Sequence, residues 1–137
     1  KEYRRQRQMC IRDRYQSIDD LAKDELRVAG TRLDPVRYTS SRMRYYKSFS
    51  LLETKTGEEI EVEYPENGKF SFFQWSPNEE KIAFTNTTNS GVELWVIDVN
   101  SRKSSKVIET HVNDILNSPY QWFNSNNELL VTEICFL

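Results

Sequence analysis

The 137-residue sequence predicts an all-β fold assembled from repeated four-stranded units, on three observations. The first is an internal repeat without gaps at an offset of 47. Phe73-Gln74-Trp75-Ser76-Pro77-Asn78-Glu79-Glu80-Lys81-Ile82-Ala83-Phe84 recurs as Tyr120-Gln121-Trp122-Phe123-Asn124-Ser125-Asn126-Asn127-Glu128-Leu129-Leu130-Val131. Each copy ends a strand with aromatic-Gln-Trp, passes six polar or turn residues, and opens the next strand with three apolar ones. The second is the stretch between the copies, where short apolar runs alternate at a period of two and are separated by turn residues. The third is a recurring hairpin: residues 48–62 repeat the order of residues 94–108, an apolar strand, an acidic residue, a polar turn and a short outer strand. A period of about 40–50 residues made of short strands is what a propeller blade produces. The predicted architecture is therefore a partial β-propeller, one complete four-stranded blade plus two half blades, with a short N-terminal helix.

Residues 1–14 stand apart by charge. They carry six basic and two acidic side chains, whereas the other 123 residues carry 13 basic and 19 acidic. Met9-Cys10-Ile11-Arg12-Asp13-Arg14 resembles the translation of a transposon mosaic end used in preparing sequencing libraries. The segment is expected to be a sequencing-adapter artefact or disordered, and is set aside from the fold. The alternative is a basic tail for nucleic acid or a membrane surface.

Residues 15–47 read as a helix and an edge segment leading into the propeller. Ser17 followed by Asp20 is close to a capping box. Ile18, Leu21, Ala22 and Leu26 then share one face, and Gly30 sits where a helix would end. These signals predict a helix over 18–28. Residues 32–46, rich in Arg, Tyr and Ser, are expected to cover the propeller's edge.

The blades occupy 48–131. Residues 70–75 form a strand with aromatics on both faces. Residues 76–80 turn, because Pro77 fixes φ and Asn78 tolerates left-handed geometry. Residues 81–85 follow with Ile82 and Phe84 on one face. After a turn at 89–91, residues 93–99 place Leu94 and Val96 on one face and Trp95, Ile97 and Val99 on the other. Residues 100–103 turn again, and 105–108 form a more polar outer strand. Residues 132–137 depart from the pattern and are left as an uncertain tail.

Composition narrows the chemistry. Cys10 and Cys135 lie near opposite ends and support neither a disulfide framework nor a metal site, and no cofactor is expected. None of the four glycines, Gly30, Gly57, Gly68 and Gly91, brackets a serine as G-x-S-x-G. His111 is the only histidine and reads as a solvated loop residue. Asn86-Thr87-Thr88 has glycosylation spacing of a kind that arises by chance. Arg44-Tyr45-Tyr46-Lys47 could stack on bases, but the acidic balance after residue 14 argues against nucleic acid. No run approaches the ~18 apolar residues of a membrane helix, so no membrane partner is expected.

Two features carry a resemblance. One is Leu21-Ala22-Lys23-Asp24-Glu25-Leu26-Arg27-Val28-Ala29-Gly30-Thr31-Arg32-Leu33-Asp34-Pro35 with Ser41-Arg42-Met43 and Tyr45-Tyr46. The other is the blade with Trp75-Ser76-Pro77, Ile82-Ala83-Phe84 and Glu93-Leu94-Trp95-Val96. Trp-Ser-Pro blades are shared by unrelated propellers; the Ala-Gly-x-Arg-x-Asp-Pro stretch is the specific part. Over residues 17–131 the chain resembles the N-terminal propeller of prolyl oligopeptidase-family serine peptidases, within it the glutamyl endopeptidase group of plant chloroplasts and its bacterial relatives. The resemblance implies a fragment of a propeller that restricts access to a hydrolase site. The Ser, Asp, His triad and the peptide substrate would belong to a C-terminal α/β-hydrolase domain, leaving this chain non-catalytic. It implies an exported or periplasmic setting in bacteria and a chloroplast in plants. Arg32 and Arg42 match the family pattern and are the candidate substrate-binding residues, through guanidinium forks on an acidic substrate. The competing reading gives both arginines structural ion pairs with nearby acidic residues. The alternative function is a non-enzymatic periplasmic propeller that scaffolds partner proteins, distinguished by the absence of a G-x-S-x-G after the last blade.

Overall fold

The computed structural model describes residues 7–14, 17–123 and 128–134. At its centre is a four-stranded antiparallel meander of β7 (Phe70–Trp75), β8 (Lys81–Thr87), β9 (Val92–Asp98) and β10 (Lys103–Lys106). The strands form where aromatic and β-branched residues alternate, and the alternation sorts them onto two faces. In the β8–β9 ladder, Ile82 opposes Ile97 and Phe84 opposes Trp95, while Ala83 opposes Val96. The Ile82, Phe84, Ile97 and Val99 side chains enter one core cluster; Ala83, Val92 and Leu94 enter another. These are the faces the sequence predicts for both strands.

Each face is covered by a hairpin. On one side the sheet continues through the Tyr46–Phe70 pair into β5 (Tyr45–Glu53) and its partner β6 (Glu59–Ile60), and it curls so that Phe49, Leu51 and Val62 enter the cluster of Phe70 and Phe84. The Phe49 ring meets those of Phe70, Phe73 and Phe84 at centroid distances of 5.3, 4.9 and 5.3 Å. Such aromatic pairs add about 0.5–1.5 kcal/mol each beyond the area they bury. On the other side, β11 (Tyr120–Trp122) and β12 (Leu129–Val131) bring Tyr120 against Ala83, Leu94 and Val112. β8, central in the meander and covered on both faces, is buried from Ile82 to Thr87.

The repeat is present in the strand pairing. Trp75 opposes Ile82 and Gln74 opposes Ala83; 47 residues later Trp122 opposes Leu129 and Gln121 opposes Leu130. For the second repeat the structure corrects the alignment by one residue. Leu51 opposes Ile60 and Leu52 opposes Glu59, just as Val96 opposes Ser105 and Ile97 opposes Ser104. The offset is 45, not the 46 implied by matching 48–62 to 94–108. The turns agree: Gly57 N donates to Glu53 O, Arg102 N donates to Asp98 O, and both Gly57 and Arg102 have positive φ, 73° and 63°. A one-residue slip exchanges the faces of a strand, so this correction decides which β5 residues enter the core.

Other expectations are revised. The helix predicted over 18–28 is a single turn, α1 (Ile18–Leu21), capped by Ser17, whose hydroxyl oxygen accepts from Asp20 N at 3.2 Å. Beyond it the chain turns into β2 (Leu26–Val28), hydrogen-bonded to β3 (Thr31–Asp34), which pairs with β4 (Thr39–Ser40). Ile18, Leu21 and Leu26, the expected buried face, are all exposed. An eleven-residue helix without a packed face would be marginal in water, and the hairpin ladder takes its place. In β7 a bulge falls between Ser71 and Gln74, with Phe72 at φ 52°. It inverts the parity of the strand, so Phe73 and Trp75 share the side of Phe70 while Phe72 faces the other way. In the following turn it is Glu79 that adopts positive φ, not Asn78. Asn78 instead accepts from Glu80 N at 3.2 Å, and Ser76 Oγ accepts from Lys81 N at 2.9 Å.

Residues 7–14, set aside in the sequence, form β1 (Arg7–Arg14), antiparallel to β5 on its far edge. Residues 1–6, residues 135–137 and the middle of the turn expected at 123–128 lie outside the described residues.

Candidate functional site

The specific stretch around Arg32 folds as a tight hairpin. Val28 pairs with Thr31 across a two-residue turn in which Ala29 and Gly30 have φ of 48° and 85°. Two consecutive positive φ angles are what a type I′ turn requires, and glycine supplies the second without steric cost. Gly30 therefore serves a hairpin and not a helix end. Ser41 N donates to Arg32 O, folding the next segment back alongside β3.

This geometry gathers four side chains around one carboxylate, Glu25. Arg32 Nη1 donates to Glu25 Oε1 at 2.7 Å and Arg27 Nη2 to the same oxygen at 3.2 Å. Ser41 Oγ donates to Oε2 at 3.0 Å, and Arg42 Nε stands 4.0 Å from it. Partial burial raises the Glu25 carboxyl, but the hydrogen bonds from Ser41 and Arg27 and the Arg32 and Arg42 charges outweigh it and hold it below the usual range. Arg32 and Arg42, the candidate substrate-binding residues, thus share an internal counter-ion. Arg32 is hydrogen-bonded to it, while Arg42 is within ion-pair distance only and 59% exposed. Glu25 itself, the centre of the cluster, goes unnoticed in the sequence because nothing local distinguishes it from neighbouring acids.

Below the hairpin lies a buried ion pair. Asp34 Oδ1 accepts from Val36 N at 2.9 Å and Arg37 N at 3.0 Å, and Oδ2 accepts from Arg37 Nε at 2.7 Å. Burial raises Asp34, and these hydrogen bonds more than reverse it. Asp34-Pro35 is therefore a side-chain-locked turn. A cavity of about 310 Å³ opens beside it, lined by Lys23, Asp24, Asp34, Pro35, Val36, Arg37 and Asn89.

Deeper still is a group no motif announces. Asp114 is 1% exposed, and neither carboxylate oxygen makes a hydrogen bond. Burial pushes its carboxyl up to about 6, the nearby Thr39 hydroxyl opposing part of that rise. Tyr45 is likewise raised by burial, against the Arg37 charge and the Thr87 hydroxyl, with Asp114 adding to the rise. Thr39, Tyr45, Thr87 and Asp114 come from β4, β5, β8 and the segment after Val112, so this polar cluster joins the hairpin unit to the meander. A second tie is Lys69, whose ammonium donates to Asp20 at 2.6 Å.

The remaining candidates are engaged or remote. His111 Nε2 is 3.5 Å from Ser90 Oγ, and among the described residues no carboxylate hydrogen-bonds its ring. Asn86 is buried, accepting from Lys69 N and donating to Glu93, which places it out of reach of modification. Tyr46 packs on Phe73, and Tyr45 lies under the Lys69 ammonium, so neither is a free stacking platform.

Similarity to known proteins is regional. Over 129 residues the chain is 30% identical to a rice protein (Oryza sativa subsp. japonica) described as a probable chloroplastic glutamyl endopeptidase, covering 84% of this chain and 14% of that protein. Over 130 residues it is 30% identical to an Arabidopsis thaliana protein of the same description, covering 85% and 13%. The chain thus spans about one-seventh of the length of these relatives, and the likeness is to one peptidase-related region. No family profile and no solved structure matches.

Proposed function

We propose that this chain is a section of the propeller that shields the active site of a glutamyl endopeptidase-like serine peptidase of the prolyl oligopeptidase family. It would contribute blades and access control, not catalytic groups. The observation that carries the reading is that more than four-fifths of the chain aligns to one region of two proteins described as glutamyl endopeptidases. The sheet arrangement supports the propeller part: a four-stranded meander sits between two hairpins, and pairing registers recur at 45 and 47 residues. Peptide entering the parent enzyme would pass Arg42, the guanidinium with hydrogen-bonding capacity left for an acidic side chain, while Arg32 fixes the hairpin through Glu25.

The test is to express the intact reading frame and assay peptides with Glu on the acyl side of the cleaved bond, alongside labelling by a serine-directed fluorophosphonate. Hydrolysis after Glu with labelling of a serine outside residues 1–137 is expected. A folded product that neither labels nor cleaves contradicts the proposal and leaves a binding propeller.

A further inference from the structure

The corrected offset of 45 identifies what β1 is doing. It maps β9 onto β5, Val96 onto Leu51 and Leu94 onto Phe49. In the meander, β9 is paired on its inner side by β8, with Val96 opposite Ala83 and Leu94 opposite Thr85. The corresponding side of β5 is paired by β1, also antiparallel, with Leu51 opposite Met9 and Phe49 opposite Ile11. Met9 and Ile11 therefore stand at the places of Ala83 and Thr85, and Cys10 at the place of Phe84. The Met9 side chain packs against the same core as Phe49 and Leu51. A segment of unrelated sequence and charge thus occupies the register that a second blade strand would hold.

We infer that the edge of β5 is a strand-accepting site, filled here by residues 7–14 standing in for the second strand of the blade to which β5 and β6 belong. The inference rests on the blade reading above but not on the peptidase assignment. The chemistry of recognition is strand addition: backbone hydrogen bonds hold an extended antiparallel segment, and the Met9 side chain packs on the core. The occupant the structure commits to is residues 7–14, with Met9 and Ile11 opposite Leu51 and Phe49 in the register.

Cross-linking tests the register. Cys10 opposes Ser50, and directly opposed antiparallel residues have Cα atoms about 4.5–5.5 Å apart, within the span of a disulfide. In the full chain, oxidised Ser50→Cys is expected to give a disulfide to Cys10, located by peptide mapping. Leu51→Cys, one step along and facing the other way, is not expected to do so. Equal cross-linking of both variants, or of neither, overturns the inference.

Hydrogen exchange tests occupancy. Met9→Lys with Ile11→Lys is expected to raise exchange at least tenfold at the β5 amides paired to β1, leaving the β8–β9 amides unchanged. A synthetic peptide of residues 7–14 carrying Cys10→Ser is expected to restore protection, and a scrambled peptide is not. Unchanged β5 exchange in the double variant, or no rescue by the peptide, contradicts the inference. Unprotected β8–β9 amides in the unaltered chain instead contradict the blade reading itself, so the two failures are distinguishable.

Discussion

Asp114 is the side chain that ties stability most directly to pH. Its folded carboxyl is raised from 3.8 to about 6, so the folded state binds the proton more tightly than the unfolded chain. Stability is then full below about pH 4 and falls as pH rises to 6, by about 3 kcal/mol at 1.36 kcal/mol per unit. Asp34 and Asp20 act with opposite sign, being lowered, and their contributions are lost only as pH falls through the acid range below the ordinary carboxylate value. Urea denaturation at pH 4.5 and 7.5 is expected to show the decline, and Asp114→Asn to remove most of it while raising stability at pH 7.5. Arg42 makes a functional prediction at the same scale. On the proposed peptidase function, Arg42→Ala in the full-length protein is expected to raise KM for Glu-containing peptides about tenfold, on the order of 1.4 kcal/mol, with kcat little changed. Arg32→Ala instead lowers thermal stability by releasing Glu25.

At the scale of elements, equivalent turns carry different residues. Gly57 and Arg102 occupy the same left-handed position in hairpins 45 residues apart. Left-handed backbone costs a residue with a Cβ about 1 kcal/mol, so Arg102→Gly is expected to raise the melting temperature by a few degrees and Gly57→Arg to lower it. The docking of β11 onto the meander makes a second prediction. Tyr120 Oη donates to the carbonyls of Phe72 and Ala83, and Trp122 Nε1 to Gln74 O at 3.1 Å. The bulge frees the Phe72 carbonyl from the ladder, and Tyr120 reaches it. Tyr120→Phe, which strands buried acceptors, is expected to cost about 1–3 kcal/mol in a chemical melt.

These elements also mark how far the sequence could be read. The 47-residue repeat was legible because its turn keeps one length in both copies, so pattern and pairing agree. The 45-residue repeat aligns one residue off in sequence because its strands share little identity, and the pairing and turn hydrogen bonds set the register. Gly30 signals a helix end and a type I′ turn equally well in sequence, because both demand positive φ. The Phe72 bulge lacked a glycine to announce it. The Glu25 and Asp114 clusters depend on contacts between segments far apart in sequence, which no local pattern records.

For the whole molecule, stability rests on the two core clusters where the hairpins pack on the meander. The meander has a hairpin on each face, but the hairpins' own outer sides meet no further layer among the described residues. Leu130 on β12 is 68% exposed and neighbouring Phe123 is 57% exposed. Repeat architectures generally need about three units for stability, and unpaired sheet edges promote association. Residues 1–137 expressed alone are therefore expected to fold when dilute but to self-associate as concentration rises through the micromolar range, as judged by sedimentation. A chain that sediments as a monomer throughout that range contradicts the expectation.

The most direct measurement is to sequence the source locus across both ends of this reading frame. On the proposed function, the frame is expected to continue into further strands spaced 45–47 residues apart and then into a G-x-S-x-G segment opening a helix. A frame that closes after its blades without that segment contradicts the peptidase reading and makes the chain part of a binding propeller.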